Sequence, residues 1–218
     1  HGTWRGWYDF CTCVFGDWGA HILDPIHQFL ELGLPSEVSA KKLEGPNKFI
    51  YPRATIINFN FPERSDMPAM DIDWYDGVEN RPPVPEGYGK ELSLGRPGKF
   101  IYSKEHVFQG DSHGSTLQIV PYEKMRELLK SGALPRNFGK NSNHYMNFMK
   151  ACQGEEKTSL RFSAAGRLSR MLTLGCMAQR LGGTLEFDRE TKQITNNKLA
   201  NSLLKDNVRK GWEQYYKL

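Results

Sequence analysis

The chain has 218 residues, of which 39% are hydrophobic and 12% are aromatic. This composition is typical of a globular domain, and a chain of this length can bury about 70% of its unfolded surface around one core. Its 29 basic and 25 acidic residues give a net charge of +4 without any block of lysine or arginine. The sequence therefore indicates neither nucleic acid nor an anionic membrane as a partner, and no apolar run approaches the roughly 20 residues that a membrane-spanning helix needs.

The first predicted element is a helix over residues 17–32. At about 100° per residue, the side chains of Asp17, His21 and Asp24 share one face of that helix. A carboxylate one turn from an imidazole can orient the ring, select its tautomer and raise its basicity, and such a pair suits general acid/base chemistry. A solvated surface pair has the same spacing and is the structural alternative. His27 lies away from this face and is predicted to be capped or solvated.

Aromatic side chains are dense around the start of this helix. They alternate with charged residues, and this mixture favours a pocket wall over an open surface. Plain core packing is the alternative for Trp4 and Trp7. The aromatic residues are Trp4, Trp7, Tyr8, Phe10, Phe15 and Trp18.

Strands follow, over residues 37–43, 54–61 and 69–75. Apolar and polar residues alternate in the last two, which indicates an antiparallel sheet covered on one face. A Pro/Gly-rich connection over residues 76–98 comes next. Further strands are predicted over 99–103, 106–110 and 115–121, with a turn at 110–114. His106 and His113, in this last region, are predicted to be structural or exposed.

The rest of the chain, from residue 122 onward, is predicted to be mainly helical. We expect an α+β fold built on a mostly antiparallel open sheet with helices packed on one face, and a jelly-roll-like sandwich is the alternative. The predicted helices cover residues 122–131, 141–152, 163–180 and 200–204, and short strands cover 184–187 and 193–195.

The four cysteines do not form a zinc-binding pattern. Cys11 and Cys13 are separated by one residue, and the second close pair of a zinc ribbon is missing. No metal site is therefore predicted. Cys152 and Cys176 lie on apolar faces of predicted helices and are expected to be buried.

The order of these motifs resembles one enzyme family. Asp17-x-Gly19-x-His21, followed by Asp24, resembles the active-site helix of the glucose–fructose oxidoreductase and inositol dehydrogenase family (Gfo/Idh/MocA), in its bacterial branch. His144–Cys152 and residues 181–188 resemble two later segments of the same family. The resemblance covers nearly the whole chain.

The resemblance implies that residues 1–218 are a single C-terminal domain for substrate binding and oligomerisation. The complete enzyme would oxidise or reduce a hydroxyl of a sugar or polyol with NAD or NADP. No strand–Gly-x-Gly-x-x-Gly–helix unit and no Glu-Lys-Pro motif of the family is found in the sequence. We therefore expect a separate N-terminal dinucleotide-binding (Rossmann) domain to hold the cofactor, and this chain alone to bind none.

The resemblance also implies roles for individual residues. His21 would be the acid/base, and Asp17 its orienting or electrostatic partner. Asp24 would bind a substrate hydroxyl or only stabilise the helix. The candidates for the sugar-binding wall are Trp4, Arg5, Trp7 and Tyr8. Homo-oligomers are expected to form through the open face of the sheet.

Two other functions fit the same features. Some relatives in this family break a glycosidic bond through a transient oxidation, so an NAD-dependent glycoside hydrolase or lyase is one alternative. A sugar-binding or assembly module without enzymatic activity is the other.

Overall fold

Two antiparallel sheets form the framework of the computed structural model, which describes residues 3–84, 88, 97–113, 117–134, 142–205 and 208–215. One sheet has the strand order β3-β2-β1-β7-β8, and the smaller sheet has the order β4-β5-β6. Within the described residues the strands are β1 Glu37–Glu44, β2 Ala54–Phe61, β3 Met70–Asp76, β4 Gly98–Tyr102, β5 Val107–Asp111, β6 Gln118–Val120, β7 Thr184–Asp188 and β8 Gln193–Ile194.

Two long helices, α1 and α4, cover one face of the larger sheet. This arrangement confirms the predicted α+β fold with a mostly antiparallel sheet. None of the helices in the described ranges is both long and apolar enough to cross a membrane. The helices are α1 Cys13–Phe29, α2 Tyr122–Ser131, α3 His144–Cys152, α4 Phe162–Leu181 and α5 Lys198–Ser202, with 3-10 turns at Thr3–Gly6 and Glu213–Tyr215.

Local signals explain several element ends. The Asn143 side chain accepts a hydrogen bond from the Met146 backbone N–H at 3.0 Å and caps α3, as expected for asparagine at this position. Gly132 ends α2 with a φ of 80°, a conformation that glycine adopts without strain. The predicted bounds of β2 and α2 are confirmed. Parts of the predicted connection 76–98, the turn 110–114, the strand 115–121 and the helix 141–152 lie outside the described residues.

The first helix differs from its prediction at both ends. It begins at Cys13 rather than residue 17, because the buried Phe15 anchors an extra first turn against the core. It ends at Phe29 rather than residue 32, and the Phe29 side chain, which the helical spacing of apolar residues predicts to be buried, is 75% exposed. The chain then turns inward, and Leu32 enters the core in its place.

The core lies between the larger sheet and helices α1 and α4. Phe15 of α1 stacks on Phe59 of β2 with ring centres 5.6 Å apart, and it contacts Trp74 of β3 edge-on at 5.0 Å. His27, on the same helix, is buried rather than solvated, and its Nε2 lies 2.8 Å from the Gly33 carbonyl oxygen. Burial lowers the pKa of His27, and its hydrogen bond to the Gly33 carbonyl gives the ring a structural role in the core.

Two glycines of α4 provide a matched test of this packing. A Cβ on Gly175 would lie 2.2 Å from Phe15 Cε1, whereas a Cβ on Gly166 would meet nothing within 4 Å. We expect Gly175→Ala to lower the free energy of unfolding by about 1–3 kcal/mol through overpacking. Gly166→Ala should raise it by about 0.5–1 kcal/mol through helix propensity. Denaturant unfolding of both variants measures the difference, and a stabilised Gly175→Ala variant would contradict this packing.

Candidate functional site

A cavity of about 930 Å³ lies between α1, β3, β4 and the segment after β3. Its volume falls near the upper end of the range for ligand pockets. Helix α1 contributes Val14, Trp18, Ile22 and Ile26 to its wall. The edge strands of the two sheets, β3 and β4, form the opposite sides.

The wall combines aromatic rings with polar groups. Trp18, Trp74, Tyr75, Phe100 and Tyr102 supply the rings. Aromatic faces cover apolar surface, while carboxylates, amides and cations fix the orientation of a ligand by hydrogen bonds. This combination suits a polyhydroxylated ligand. The polar residues of the wall are Asp71, Asp73, Asp76, Asn80, Arg81 and Lys99.

His21 lies on the exposed face of α1 beside the wall residue Trp18, but it does not itself line the cavity. Its ring contacts Trp18 edge-on, with ring centres 5.8 Å apart. His113, in the turn after β5, approaches from the smaller sheet with its ring centre 5.9 Å from that of His21. The sequence did not indicate this pair of histidines, because only the packing of the smaller sheet brings His113 to α1.

The carboxylates predicted beside His21 have partners of their own. The Asp17 carboxylate accepts from Arg5 Nη1 at 3.3 Å, and both side chains are largely exposed. Asp24 accepts two hydrogen bonds from Gln28 at 2.8 and 2.9 Å. Asp17, His21 and Asp24 all lie on α1, as predicted, but neither carboxylate forms a hydrogen bond to His21 among the described contacts.

The aromatic residues before α1 form a separate surface. Trp4 and Trp7 are 47% and 42% exposed, so the alternative that they pack in the core is wrong. Arg5 lies over the Trp4 ring, with its Cζ 5.8 Å from the ring centre. Tyr8 is partly buried, and its ring packs at a tilt against Tyr51, with ring centres 4.3 Å apart, and lies under Arg180. None of the predicted wall residues Trp4, Arg5, Trp7 and Tyr8 lines the cavity.

Asp76 is a cavity residue that the sequence analysis did not select. Its carboxylate accepts from the Thr55 backbone N–H at 2.8 Å, from Trp74 Nε1 at 3.1 Å and from Gln179 Nε2 at 3.1 Å. Burial raises the pKa of Asp76, while hydrogen bonds from Trp74 and Thr55 oppose that shift. Strand parity was an available signal, because residue 76 follows 72 and 74 on the apolar face of β3.

Of the two cysteines predicted to be buried, the structure buries only one. Cys176 is buried, as expected, and burial raises the pKa of its thiol to about 12. Cys152 is exposed, contrary to the prediction, because the apolar side chains of α3 near it are not buried against other described residues. Cys11 and Cys13 are half-buried. Within the described ranges no group of three or more His, Cys, Asp or Glu is placed to hold a metal ion.

The described residues do not fit a dinucleotide. A pyrophosphate site needs a glycine turn between a strand and a helix N-terminus, where the backbone can approach closely. In the described part of the chain, β6 passes to α2 through Pro121, which has no N–H, and β8 passes to α5 through residues 195–197 without glycine. Neither of these two connections has the glycine turn of a Rossmann-type pyrophosphate site.

Comparison with known families supports the resemblance seen in the sequence. Residues 130–214 match the Gfo/Idh/MocA oxidoreductase family, in the part described as its C-terminal alpha/beta domain. This segment of the chain is therefore similar to the C-terminal domain of an oxidoreductase family, and the α+β architecture agrees with that description. No significant match to a curated protein is found.

Proposed function

We propose that this chain is the substrate-binding part of an NAD- or NADP-dependent oxidoreductase that acts on a hydroxyl of a sugar or polyol. The observation that carries the proposal is the contact between His21 and Trp18, a residue that lines an aromatic and carboxylate-rich cavity of about 930 Å³. The oxidoreductase match over residues 130–214 supports the reaction class.

His21 is the proposed acid/base. Oxidation of a carbinol removes one proton from the hydroxyl, and an imidazole is the side chain best suited to accept it near neutral pH. Trp18 contacts the His21 ring edge-on and limits its movement. Asp17 is the proposed electrostatic partner of His21 from one turn away, and it is itself held by Arg5.

A separate dinucleotide-binding domain is the proposed partner that holds the cofactor. The nicotinamide ring supplies the hydride chemistry when it is bound, and the residues of this chain bind the substrate and move the proton. The exposed Trp4, Arg5 and Trp7 surface lies beside Asp17 through the Arg5 contact. It is proposed to bind part of the substrate once the second domain closes over it.

A second copy of the chain is proposed to cover the open face of the larger sheet. This face carries two rows of polar side chains, and Lys41 neutralises Asp73 there at 2.9 Å. Hydroxyl and amide groups at its centre can form hydrogen bonds across a symmetric interface. The rows are Thr184, Ser39, Asn58 and Asp73, and Glu186, Glu37, Asn60 and Asp71.

Binding and turnover measurements test the proposal that one domain binds the cofactor and this chain binds the substrate. NADH titrated into the isolated chain should give no saturable micromolar energy transfer from its five tryptophans, because the strand-to-helix connections of the described residues contain no glycine turn for the pyrophosphate. The full-length enzyme should bind NADH and reduce NAD or NADP when one member of a panel of hexoses, methyl hexosides and inositols is added.

Three outcomes are informative. Saturable NADH binding by the isolated chain would contradict the separate cofactor domain. Cleavage of a methyl hexoside without net cofactor reduction would identify a glycoside hydrolase or lyase instead. Sugar binding by a full-length protein that shows no NADH binding would identify a module without redox activity.

A further inference from the structure

The outer face of α3 is apolar. Tyr145, Phe148 and Met149 are 81%, 63% and 55% exposed, and Cys152 is exposed as well. Their spacing of three, four and seven residues places these side chains on one face of the helix, and we call them the α3 stripe. A surface helix normally turns such a stripe toward the core. We propose that the α3 stripe binds the same stripe of a second copy of this chain.

The opposite side of α3 is polar and faces the protein. Asn147 is 5% exposed, and its Nδ2 donates to Glu156 Oε2 and to the Lys157 carbonyl oxygen, both at 3.0 Å. Its Oδ1 accepts from the backbone N–H and the hydroxyl of Ser159 at 2.9 and 3.0 Å. Turning the helix to bury the stripe would break these hydrogen bonds of a buried amide, which is costly. The stripe is therefore held on the outside of the chain.

The charge of the stripe favours a second copy as its partner. In a two-fold symmetric contact the same patch of both copies meets, so a charged residue on that patch would face its own equivalent. None of the stripe residues is Lys, Arg, Asp or Glu. Lys150, a cation on the same helix, has its Nζ 3.0 Å from Glu156 Oε1 of its own chain. Two stripes can therefore pack together without bringing like charges into contact.

The exposed apolar area is large enough for such a contact. An aromatic side chain buries roughly 150–250 Å², so Tyr145 and Phe148 together have on the order of 300 Å² to bury at their exposures of 81% and 63%. Met149, Cys152 and the 46% exposed Met146 enlarge this surface. Two copies then approach the roughly 1,000 Å² of total buried area that a specific interface needs. An apolar patch of this size commonly marks an interaction site.

This contact is separate from the one proposed for the open face of the larger sheet, because α3 is not part of that sheet. Two different two-fold contacts with perpendicular axes combine into a closed tetramer, whereas the α3 contact alone gives a dimer. In both cases, loss of the α3 contact halves the mass of the assembly. The inference therefore depends neither on the proposed reaction nor on the sheet contact.

Light scattering coupled to size-exclusion chromatography of the full-length protein tests the α3 contact. Phe148→Asp places two like carboxylates where the copies meet, and we expect it to halve the mass of the wild-type assembly. Phe29→Asp is the matched control, because Phe29 is a ring that is 75% exposed on a different helix, α1, and this variant should keep the wild-type mass. Ser39→Arg, on the open face of the larger sheet, should leave the α3 contact intact, so adding Phe148→Asp to it should still halve the remaining mass.

Photocrosslinking identifies the partner without a disruptive charge. A benzophenone maleimide is attached to Met149→Cys in a Cys152→Ser background, and illumination should join two full-length chains, which doubles the chain mass on a denaturing gel. The same label on Phe29→Cys should not join them. Circular dichroism of each variant checks that its helices are formed.

Three results would overturn the inference. The first is a wild-type protein with the mass of one chain, and the second is a Phe148→Asp variant with the wild-type mass. The third is a Met149→Cys label that crosslinks only within its own chain, because the stripe would then be covered by the separate dinucleotide-binding domain. None of these results bears on His21 or on the reaction class, whereas a Ser39→Arg variant with the wild-type mass would remove only the sheet contact.

Discussion

His21→Ala in the full-length protein is expected to lower kcat by about 10²–10⁴-fold, the usual contribution of a positioned acid/base. The affinity for NADH should stay unchanged, because the cofactor is proposed to bind a separate dinucleotide-binding domain. Steady-state kinetics with the panel sugar and a separate NADH titration measure the two effects. Because His21 is exposed on α1 and lies outside the core, the variant should unfold at the wild-type denaturant concentration.

His144→Ala is the matched control for this experiment. His144 is also exposed, but it lies on α3 beside Tyr145. It should retain wild-type turnover. A His21→Ala enzyme with kcat within a factor of two of wild type would remove His21 from the acid/base role. The base would then have to be sought on the other domain or among the cavity residues.

Asp76→Ala is expected to lower the free energy of unfolding by about 2–4 kcal/mol, because it leaves the Thr55 N–H and Trp74 Nε1 without their acceptor in a buried site. Gln179 Nε2 keeps only its hydrogen bond to Thr55 Oγ1 at 2.9 Å. Denaturant unfolding of the chain measures this loss. Asp71→Ala provides the control, since its exposed carboxylate accepts only a 3.3 Å bond from Asn60 among the described contacts, and it should cost less than about 1 kcal/mol.

The loss in the free energy of unfolding caused by Asp76→Ala should also depend on pH. Burial raises the pKa of Asp76 above its ordinary value of 3.8, so the folded state holds the proton more tightly than the unfolded state does. Below the ordinary pKa, the bound proton makes its full contribution to the free energy of unfolding. This contribution is lost as the pH rises through the raised pKa of the folded state. The loss caused by Asp76→Ala should therefore be larger in mild acid than at neutral pH, and an opposite trend would contradict the burial of this carboxyl.

Local patterns determined most of the secondary structure. The alternation in residues 54–61 specified both the extent of β2 and its inward face, where Ile57, Phe59 and Phe61 are fully buried. Alternation carries this information because successive side chains of a strand point to opposite faces. The order of motifs along the chain was also sufficient to predict the oxidoreductase family that residues 130–214 match.

The extent of the first helix and the composition of the site depended on contacts between distant segments. The burial of Phe15 against Phe59 and Trp74 extended α1 to Cys13, and no local signal at residues 13–16 competes with that packing energy. Helical spacing did place Asp17, His21 and Asp24 on one element. Helical spacing could not show that Arg5 donates a hydrogen bond to the Asp17 carboxylate, or that the turn after β5 brings His113 to His21. Such contacts join residues far apart in sequence, and only the packing of sheets and helices around a common core decides which of them form.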